Sequence, residues 1–393
     1  MNNSTGLNKI GVIGAGAMGS GIAQIASQAG HNVILCDLNE EALKQSSAKL
    51  SKVMDRLVEK EKVTELEAKA IQARIDRTTV LRDLSKCDLV IEAIIEDIEI
   101  KKMVFSDLEI ILSDDAVIAS NTSSLSITSL AKHCKHPERI VGLHFFNPAP
   151  LMPLVEIIPA LQTREGLTSD LNKLMNDWGK APVLTKDTPG FIVNRVARPF
   201  YSEAIRILDE GLADVNTIDE AMRSLGFRMG PFELTDLIGH DVNYAVTESV
   251  FKSFYYDDRF KPSVTQLKLV EAGWYGKKSG RGFYKYEEDG TRTFFKVDSA
   301  KDIQDSISER VLAMLINEAA DAVFWGIASV EDIDTAMTKG VNYPKGLLVW
   351  ADEWGVSKVI NIIESLRQHY GETRYRVSPI LREMAISGDK FYN

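Results

Sequence analysis

The sequence predicts an α/β domain built on a doubly wound parallel sheet, followed by two all-α domains. Three observations support this prediction. Apolar strands alternate with helical segments up to about residue 187, strands nearly vanish after that point, and the helical part repeats itself at an offset of 115 residues. We therefore expect domains at residues 1–187, 188–290 and 291–393 of the 393-residue chain.

The chain opens with a strand, a helix and a second strand that form one βαβ unit. An apolar strand over residues 9–13 leads into a glycine-rich turn, a helix of small residues runs to Gly30, and a strand over residues 33–36 ends at Asp37. Residues 40–73 alternate Lys, Glu and apolar residues at helical spacing, which predicts a pair of exposed helices. Further apolar strands are predicted at residues 89–93, 117–119 and 140–143.

The predicted helical part contains two copies of one pattern. The copies are separated by a glycine turn into an aromatic strand, Gly280–Tyr284, and by a charged linker that extends to about Asp305. Repetition at a fixed offset indicates two related helical domains. The matching residues are Glu203, Ala204, Gly211, Ile218, Asp219, Ala221 and Met222 in the first copy and Glu318, Ala319, Gly326, Ile333, Asp334, Ala336 and Met337 in the second.

The bulk properties exclude several classes of partner. A formal net charge of −10 argues against a nucleic-acid partner. The polar first residues run straight into the first strand without the basic and apolar segments of a secretion signal, so a cytoplasmic location is expected. No apolar run reaches the roughly 20 residues needed to cross a bilayer, so no membrane partner is expected.

The three cysteines lie far apart and form no CxxC pair, which predicts buried, reduced thiols. The run His133–His136 contains three residues able to bind a metal ion. Adjacent residues rarely converge on one ion, however, and the charged run before Pro137 is typical of a surface loop. We therefore expect no metal site.

The glycine-rich turn has the spacing of a dinucleotide-binding site. In the pattern GxGxxG the first glycine makes the tight turn, the second lets a pyrophosphate approach the backbone, and the third lets the helix pack closely on the strand. The helix then presents free N–H groups to the anion. An acidic residue at the end of the second strand can bind the ribose hydroxyls and would repel the phosphate of NADP, so NAD is favoured, with FAD or a non-binding copy of the motif as alternatives. The expected cofactor-binding residues are Gly14, Gly16, Ala17, Met18, Gly19 and Asp37.

A histidine and a glutamate beyond this motif are candidates for chemistry. Oxidation of a secondary alcohol requires removal of the hydroxyl proton while a hydride leaves the same carbon, and histidine is the natural base near neutral pH. His144 follows the strand predicted at residues 140–143, and Glu156 is a plausible partner that would fix its tautomer and stabilise its charge. Ser123 and Asn194 are further polar positions of interest.

Each candidate also has a simpler interpretation. His144 could be a core histidine, Glu156 could pair with a surface lysine, and Ser123 could cap the helix that follows it. A hydrolase using Ser123 and His144 would be a different class of enzyme, but no GxSxG turn surrounds this serine. A non-catalytic NAD-binding protein would tolerate loss of the histidine or the glutamate, and both are present.

Several long strings resemble the 3-hydroxyacyl-CoA dehydrogenase family, which includes the 3-hydroxybutyryl-CoA dehydrogenases. They are GVIGAGAMGSGIAQ, SNTSSLSIT, GLHFFNPAPLMPLVEII, DTPGFIVNR, GPFELTDLIG and GRGFY. The resemblance covers the first two predicted domains, and the second helical copy resembles the tandem-domain members. It implies a Rossmann-type sheet followed by helical domains like the C-terminal domain of 6-phosphogluconate dehydrogenase.

The resemblance implies roles for individual residues. His144 would be the base and Glu156 its orienting partner. Ser123 and Asn194 would contact the oxygens of the substrate, with Asn194 on the thioester side.

Cofactor and CoA contacts follow from the same resemblance. Positions around the nicotinamide ribose are matched by Glu96, Lys101 and Asn121. Positions that contact the CoA phosphates are matched by Lys52 and Arg56, where the family often has Lys at the second. This pair could instead form a solvated helix face.

The implied reaction is the reversible, NAD-dependent oxidation of an (S)-3-hydroxyacyl-CoA to the 3-ketoacyl-CoA. A short substrate such as 3-hydroxybutyryl-CoA is expected, with 3-hydroxyadipyl-CoA from aromatic (phenylacetate) degradation as the alternative. A dehydrogenase for a free 3-hydroxy acid would have no use for Lys52 and Arg56. No crotonase-like segment is present, so hydratase activity is not expected. Single-copy relatives dimerise through the helical domain, so a homodimer or a pseudo-dimeric monomer is expected.

Overall fold

The computed structural model describes residues 6–292 and 300–392. The chain divides into two compact units, Met1–Thr188 and Pro189–Asn393. The three-domain division at 1–187, 188–290 and 291–393 stays a prediction. Residues 1–5 of the predicted leader and residues 293–299 of the predicted linker lie outside the described residues.

The first unit is an α/β structure around one eight-stranded sheet, counted over the described residues. Its elements in chain order are β1 (Lys9–Ile13), α1 (Ala17–Gln28), β2 (Asn32–Cys36), α2 (Glu40–Glu59), α3 (Glu65–Ala73), β3 (Ile75–Thr78), β4 (Leu89–Glu92), α4 (Ile98–Ile111), β5 (Val117–Ser120), α5 (Ile127–Ala131), β6 (Ile140–Phe145), β7 (Leu154–Pro159), α6 (Leu167–Asp177) and β8 (Ala181–Leu184).

The strand order β3-β2-β1-β4-β5-β6-β7-β8 is that of a doubly wound sheet extended at one edge. Every neighbouring pair among β1 to β6 is parallel, which confirms the predicted fold class and all five predicted strands. The strands β4 and β5 are wholly buried, as expected where helices cover both faces of a parallel sheet.

Three strands were not predicted from the sequence. β3 contains only one apolar residue, and β8 is a four-residue edge strand that contains a proline. β7 runs antiparallel to β6 and parallel to β8, so these two strands oppose the direction of the other six. Antiparallel pairing of β7 with β6 is a long-range contact that the local apolar pattern does not encode.

The cysteines are free and buried, as predicted. Cys36 ends β2, and the other two flank the sheet at positions 87 and 134. Burial raises the pKa of Cys36 to about 11 and that of Cys87 and Cys134 to about 12, which disfavours the reactive thiolate at neutral pH.

The second unit is helical. Its α-helices in the described residues are α7 (Val193–Val196), α8 (Arg198–Asp209), α9 (Val215–Ser224), α10 (Pro231–Ile238), α11 (His240–Ser253), α12 (Val264–Glu271), α13 (Lys301–Phe324), α14 (Val330–Gly340), α15 (Leu347–Trp354), α16 (Val356–Tyr370) and α17 (Pro379–Ser387). In the part of the chain that the structure describes, no helix is both long and apolar enough to cross a membrane.

The internal repeat is visible in the hydrogen bonds of this unit. Asp219 in α9 accepts from two backbone N–H groups in the first turn of α10, at 2.9 and 3.0 Å. Asp334 in α14 accepts from two in the first turn of α15, at 2.9 and 3.1 Å. Asp236 and Asp352 likewise each accept two backbone N–H groups from an aromatic pair later in the same copy. The series α8 to α12 therefore corresponds to α13 to α17.

Two buried ion pairs join the copies reciprocally. Arg195 in α7 donates from Nε to Glu318 in α13 at 2.7 Å, and Arg310 in α13 donates from Nε to Glu203 in α8 at 2.9 Å. The offset of 115 residues relates the two arginines to each other and the two glutamates to each other. Reciprocal contacts of this kind characterise an isologous interface, which here is formed within one chain.

Candidate active site

The turn between β1 and α1 has the geometry that the glycine pattern predicts. Gly14 has φ +101°, and a Cβ there would lie 2.6 Å from the carbonyl oxygen of Ala93. A Cβ on Gly19 would lie 1.8 Å from the carbonyl oxygen of Gly14, whereas a Cβ on Gly16 would meet nothing within 4 Å. Gly16 is the N-cap of α1 and provides no side-chain hydrogen bond to it. The helix therefore begins with N–H groups able to bind an anion.

Asp37 lies beside this turn at the end of β2. Its Oδ2 accepts a hydrogen bond from the backbone N–H of Ala15 at 2.6 Å, and its Oδ1 accepts one from Asn39 at 2.8 Å. These bonds orient the carboxylate, and each oxygen keeps further lone pairs that can accept from ribose hydroxyls.

A buried ionic cluster lies at the carboxyl ends of β4 and β5. Glu92, the last residue of β4, is 0% exposed and accepts from Lys101 Nζ at 2.5 Å, from Ser120 Oγ at 2.7 Å and from the backbone N–H of Ile94 at 2.7 Å. Lys101 is itself buried and also lies 3.3 Å from Glu96 Oε2. Lys101 is therefore held between two carboxylates at this edge of the sheet.

Glu96 connects this cluster to the serine-rich loop after β5. Its Oε1 accepts from Thr122 Oγ1 at 2.5 Å and from the backbone N–H and Oγ of Ser123 at 3.0 and 3.3 Å. Burial by itself raises the pKa of Glu96, but Lys101 and the hydrogen bonds from Thr122 and Ser123 outweigh it and lower that pKa. The N-cap of α5 is Ser126, which accepts from the N–H of Ser129, so Ser123 does not have the capping role considered above.

His144 and Glu156 meet across the antiparallel pair β6 and β7. They lie directly opposite each other in the register, so both side chains point to the same face of the sheet. His144 Nδ1 lies 2.6 Å from Glu156 Oε2, and the glutamate is 0% exposed. Glu156 thus pairs with the histidine. A histidine bonded in this way through Nδ1–H accepts a proton at Nε2.

The strand end and the loop that follows His144 are held by hydrogen bonds with two polar side chains. Asn121 Oδ1 accepts from the backbone N–H of Phe145 at 2.8 Å, which ties the end of β5 to β6. Lys180 donates from Nζ to the carbonyl oxygens of Ala149 and Met152 at 2.6 and 3.0 Å, and burial lowers the pKa of this lysine to about 8. The same loop packs on α1 at Gly21, where a Cβ would lie 3.1 Å from the Cβ of Ala149.

Sequence analysis missed Glu92 and Lys180. Glu92 left a signal, because a charged residue within the otherwise apolar strand predicted at 89–93 is unusual in a buried sheet. Lys180 left none, since its partners are backbone carbonyls about 30 residues earlier in the chain.

The predicted CoA-binding residues form an exposed pair. Lys52 and Arg56 are both exposed on α2, one helical turn apart. Among the described residues, neither side chain makes a hydrogen bond or an ion pair. The geometry is compatible with phosphate binding and equally with a solvated face, so this assignment stays a prediction.

Asn194 lies in the second unit, as the second residue of the short helix α7. The next residue, Arg195, is buried and ion-paired. The role of Asn194 towards substrate stays a prediction.

Oxidation of an alcohol has two halves. A bound dinucleotide accepts a hydride, and a base such as histidine removes a proton. In the first unit the glycine turn follows β1, Asp37 follows β2 and His144 lies near the end of β6, so all three occupy the carboxyl edge of the parallel strands. Ligands bind open α/β sheets at this edge. The fold and site are those of an NAD-dependent alcohol dehydrogenase.

The chain belongs to the 3-hydroxyacyl-CoA dehydrogenase family. The sequence model of the 3-hydroxyacyl-CoA dehydrogenase NAD binding domain matches residues 9–188. The model of the C-terminal domain of the same family matches twice, at residues 190–286 and 307–390, the two stretches that hold the internal repeat. Membership of this family is incompatible with the hydrolase alternative.

Named relatives span most of the chain. It is 38% identical to 3-hydroxyadipyl-CoA dehydrogenase of Escherichia coli (strain K12), over 96% of this chain and 97% of the relative. It is 42% identical to 3-hydroxybutyryl-CoA dehydrogenase of Bradyrhizobium diazoefficiens, over 71% of this chain and 96% of that protein. A crystal structure of 3-hydroxybutyryl-CoA dehydrogenase from Escherichia coli K12 aligns with a TM-score of 0.90 at 38% identity, over 97% of this chain and 99% of the other.

Proposed function

We propose that this protein oxidises the 3-hydroxyl group of a short (S)-3-hydroxyacyl-CoA to the ketone, reversibly, with His144 as the general base. The observation that carries the proposal is the contact of 2.6 Å between His144 Nδ1 and the buried carboxylate of Glu156. A neutral histidine oriented in this way can take a proton, and the carboxylate stabilises the cation that results.

The proposed reaction divides between the cofactor and the side chains. NAD, when bound at the glycine turn, supplies the hydride acceptor for the hydrogen on C3. His144 takes the hydroxyl proton at Nε2 while the C3–H bond breaks and the C3–O bond becomes a carbonyl. The carboxylate of Glu156 stabilises the imidazolium. In the reverse direction the imidazolium returns its proton to the oxygen.

The other candidate residues have positioning roles in this proposal. Ser123, held by Glu96, contacts the substrate oxygen at C3, and Asn194 contacts the thioester side. Lys101 and Glu96 are proposed to contact the nicotinamide ribose, and Asn121 lies on the neighbouring strand end. Support comes from the contacts of Glu96, which accepts hydrogen bonds from Ser123 and forms an ion pair with the buried Lys101.

The acyl group is proposed to be short, as in 3-hydroxybutyryl-CoA. 3-Hydroxyadipyl-CoA is the second candidate, favoured by the relative of that name that matches 96% of the chain. A panel of 3-ketoacyl-CoA esters, with acetoacetyl-CoA, longer neutral chains and 3-ketoadipyl-CoA, distinguishes them by the rate of NADH consumption. The highest kcat/KM for acetoacetyl-CoA supports the first candidate, and the highest kcat/KM for 3-ketoadipyl-CoA supports the second. Absence of turnover with every ester contradicts the proposed function.

Replacement of both Lys52 and Arg56 by Ala is expected to raise the KM for acetoacetyl-CoA about tenfold, because two phosphate contacts at a solvent-exposed site contribute on the order of 1 kcal/mol or less each. The pantetheine thioester lacks the nucleotide phosphates, so its KM should not change. The matched control is Lys173→Ala, which removes an exposed lysine from α6 at the opposite edge of the sheet. Equal effects on the CoA and pantetheine esters would show that the pair is only a solvated helix face.

We propose that the chain is a pseudo-dimeric monomer, in which the second helical copy takes the place of a partner subunit. The reciprocal pairs Arg195–Glu318 and Arg310–Glu203 support this proposal, because a homodimer of single-copy chains would form such contacts between subunits. Light scattering should give a mass near 43.7 kDa. A mass of twice that value would favour a homodimer.

A further inference from the structure

We infer that Glu318 and Asp321, in the second helical copy, position Asn194 for substrate binding by holding the neighbouring Arg195. This inference rests on the proposed contact of Asn194 with substrate. It assigns to the second copy a part in substrate binding that its sequence, which lacks the histidine and the cofactor motif, does not suggest.

Arg195 is buried and held by two carboxylates of α13. Its side chain is 3% exposed, with Nε 2.7 Å from Glu318 Oε1 and Nη2 3.3 Å from Asp321 Oδ2. Both carboxylates are buried. Removing one partner of a buried pair leaves an uncompensated charge and is costly, so the position of Arg195 is strongly tied to α13.

The two carboxylates are held in turn by other arginines. Arg259, after α11, lies 3.3 Å from Glu318 and 2.6 Å from Asp321, and Arg376, before α17, lies 3.2 Å from Asp321. Burial by itself lowers the pKa of Arg259, but Glu318, Asp257 and Asp321 outweigh it and raise that pKa. Asp321 is therefore held by three arginines and Glu318 by two, and Arg195 binds to a rigid acceptor.

The turn that carries Asn194 needs an external anchor. The helix α7 is only four residues long, and a single helical turn has little stability of its own. The backbone before it is strained at the buried Phe191, which has φ +47°, whereas Gly190 adopts φ +75° without strain. A strained conformation persists only when the surrounding structure enforces it. Arg195 follows Asn194 in the chain. The carboxylates that hold Arg195 therefore also determine where the amide side chain of Asn194 can reach.

The other copy contains a matching ion pair that has no polar loop residue beside it. The counterpart pair, Arg310–Glu203, has the same chemistry and similar burial, with a distance of 2.9 Å. The position that corresponds to Asn194 in the second copy is Glu309, whose carboxylate lies 2.6 Å from Lys358 Nζ. It belongs to the continuous 24-residue helix α13 and not to a short turn. The two ion pairs are thus equivalent in chemistry, but only the arginine of the Arg195–Glu318 pair is adjacent to a proposed substrate contact, Asn194.

The test uses Glu318→Gln and Glu203→Gln in the full-length protein. Glu318→Gln should raise the KM for acetoacetyl-CoA about tenfold, because a small displacement of a positioning group costs one to two orders of magnitude, and should leave the KM for NADH within twofold. Glu203→Gln removes the counterpart pair and should lower the thermal midpoint to a similar extent without changing either KM. Equal KM values in the two variants would overturn the inference and leave Glu318 a structural role only.

A second measurement separates the inference from the proposed function. If Glu318 acts through Asn194, the combination of Glu318→Gln with Asn194→Ala should give no larger KM than Asn194→Ala alone, since both changes remove one interaction. Additive effects would overturn the inference. An unchanged KM in Asn194→Ala would instead contradict the proposed role of Asn194. If Glu318→Gln fails to fold, Glu318→Asp replaces it, because aspartate keeps the charge on a shorter side chain. A KM of Glu318→Asp for acetoacetyl-CoA less than twofold above that of the parent protein would equally overturn the inference.

Discussion

Replacement of His144 by Gln is expected to lower kcat about 10³-fold, which lies within the range measured for the loss of a general base. Glutamine can still accept a hydrogen bond from a substrate hydroxyl, but it cannot take the proton. The thermal midpoint and the affinity for NADH should stay near those of the parent protein, because His144 on β6 lies four strands along the sheet from β2, where Asp37 marks the adenosine end of the cofactor site. Steady-state kinetics with acetoacetyl-CoA and titration of NADH by fluorescence measure these quantities.

Two variants control this prediction. His133→Gln changes an exposed histidine of the same unit and should leave kcat unchanged. Glu156→Gln keeps the size of the partner of His144 but removes its negative charge, so kcat should fall by an intermediate factor. A kcat for His144→Gln within threefold of the parent value would show that another group removes the proton.

Replacement of Gly19 by Ala is expected to lower the free energy of unfolding by about 3 kcal/mol, while replacement of Gly16 by Ala leaves it within about 1 kcal/mol. A methyl group on Gly19 would lie 1.8 Å from the carbonyl oxygen of Gly14. This clash can be relieved only by a shift of the backbone, because the atom that the methyl group meets is a backbone atom. A methyl group on Gly16 meets nothing within 4 Å, and the backbone there has φ −68°, which alanine adopts readily.

The same two variants should differ in how they lose NAD binding. The methyl group of Gly16→Ala would occupy the space through which a pyrophosphate approaches the backbone, so the Kd for NADH should rise at least tenfold in a protein of nearly normal stability. Gly19→Ala should also weaken NADH binding, but in a protein of lowered stability, because its methyl group displaces the turn that would hold the pyrophosphate. Chemical denaturation and calorimetric titration separate the two outcomes. Unchanged affinity in Gly16→Ala would place the pyrophosphate elsewhere.

The cofactor turn and the first strands could be predicted from the sequence because their determinants are local. A glycine spacing and an apolar run act on contiguous residues, so the strands at 9–13, 33–36, 89–93, 117–119 and 140–143 and the turn between the first strand and helix are all found where expected. The weakly patterned strands β3 and β8 could not be predicted, because pairing with a neighbouring strand and not composition makes them strands.

The candidate catalytic pair needed both sources of information. The sequence alone determined that His144 and Glu156 are present in a family pattern, together with a dinucleotide motif and a duplicated helical segment. Only the tertiary structure decided that β6 and β7 pair in antiparallel register, which brings the imidazole and the carboxylate to 2.6 Å. It also decided that Glu92 is buried against Lys101 and that Arg195 finds its partner 123 residues away. Contacts between distant segments depend on the free energy of the whole fold, and no local pattern in the chain carries that information.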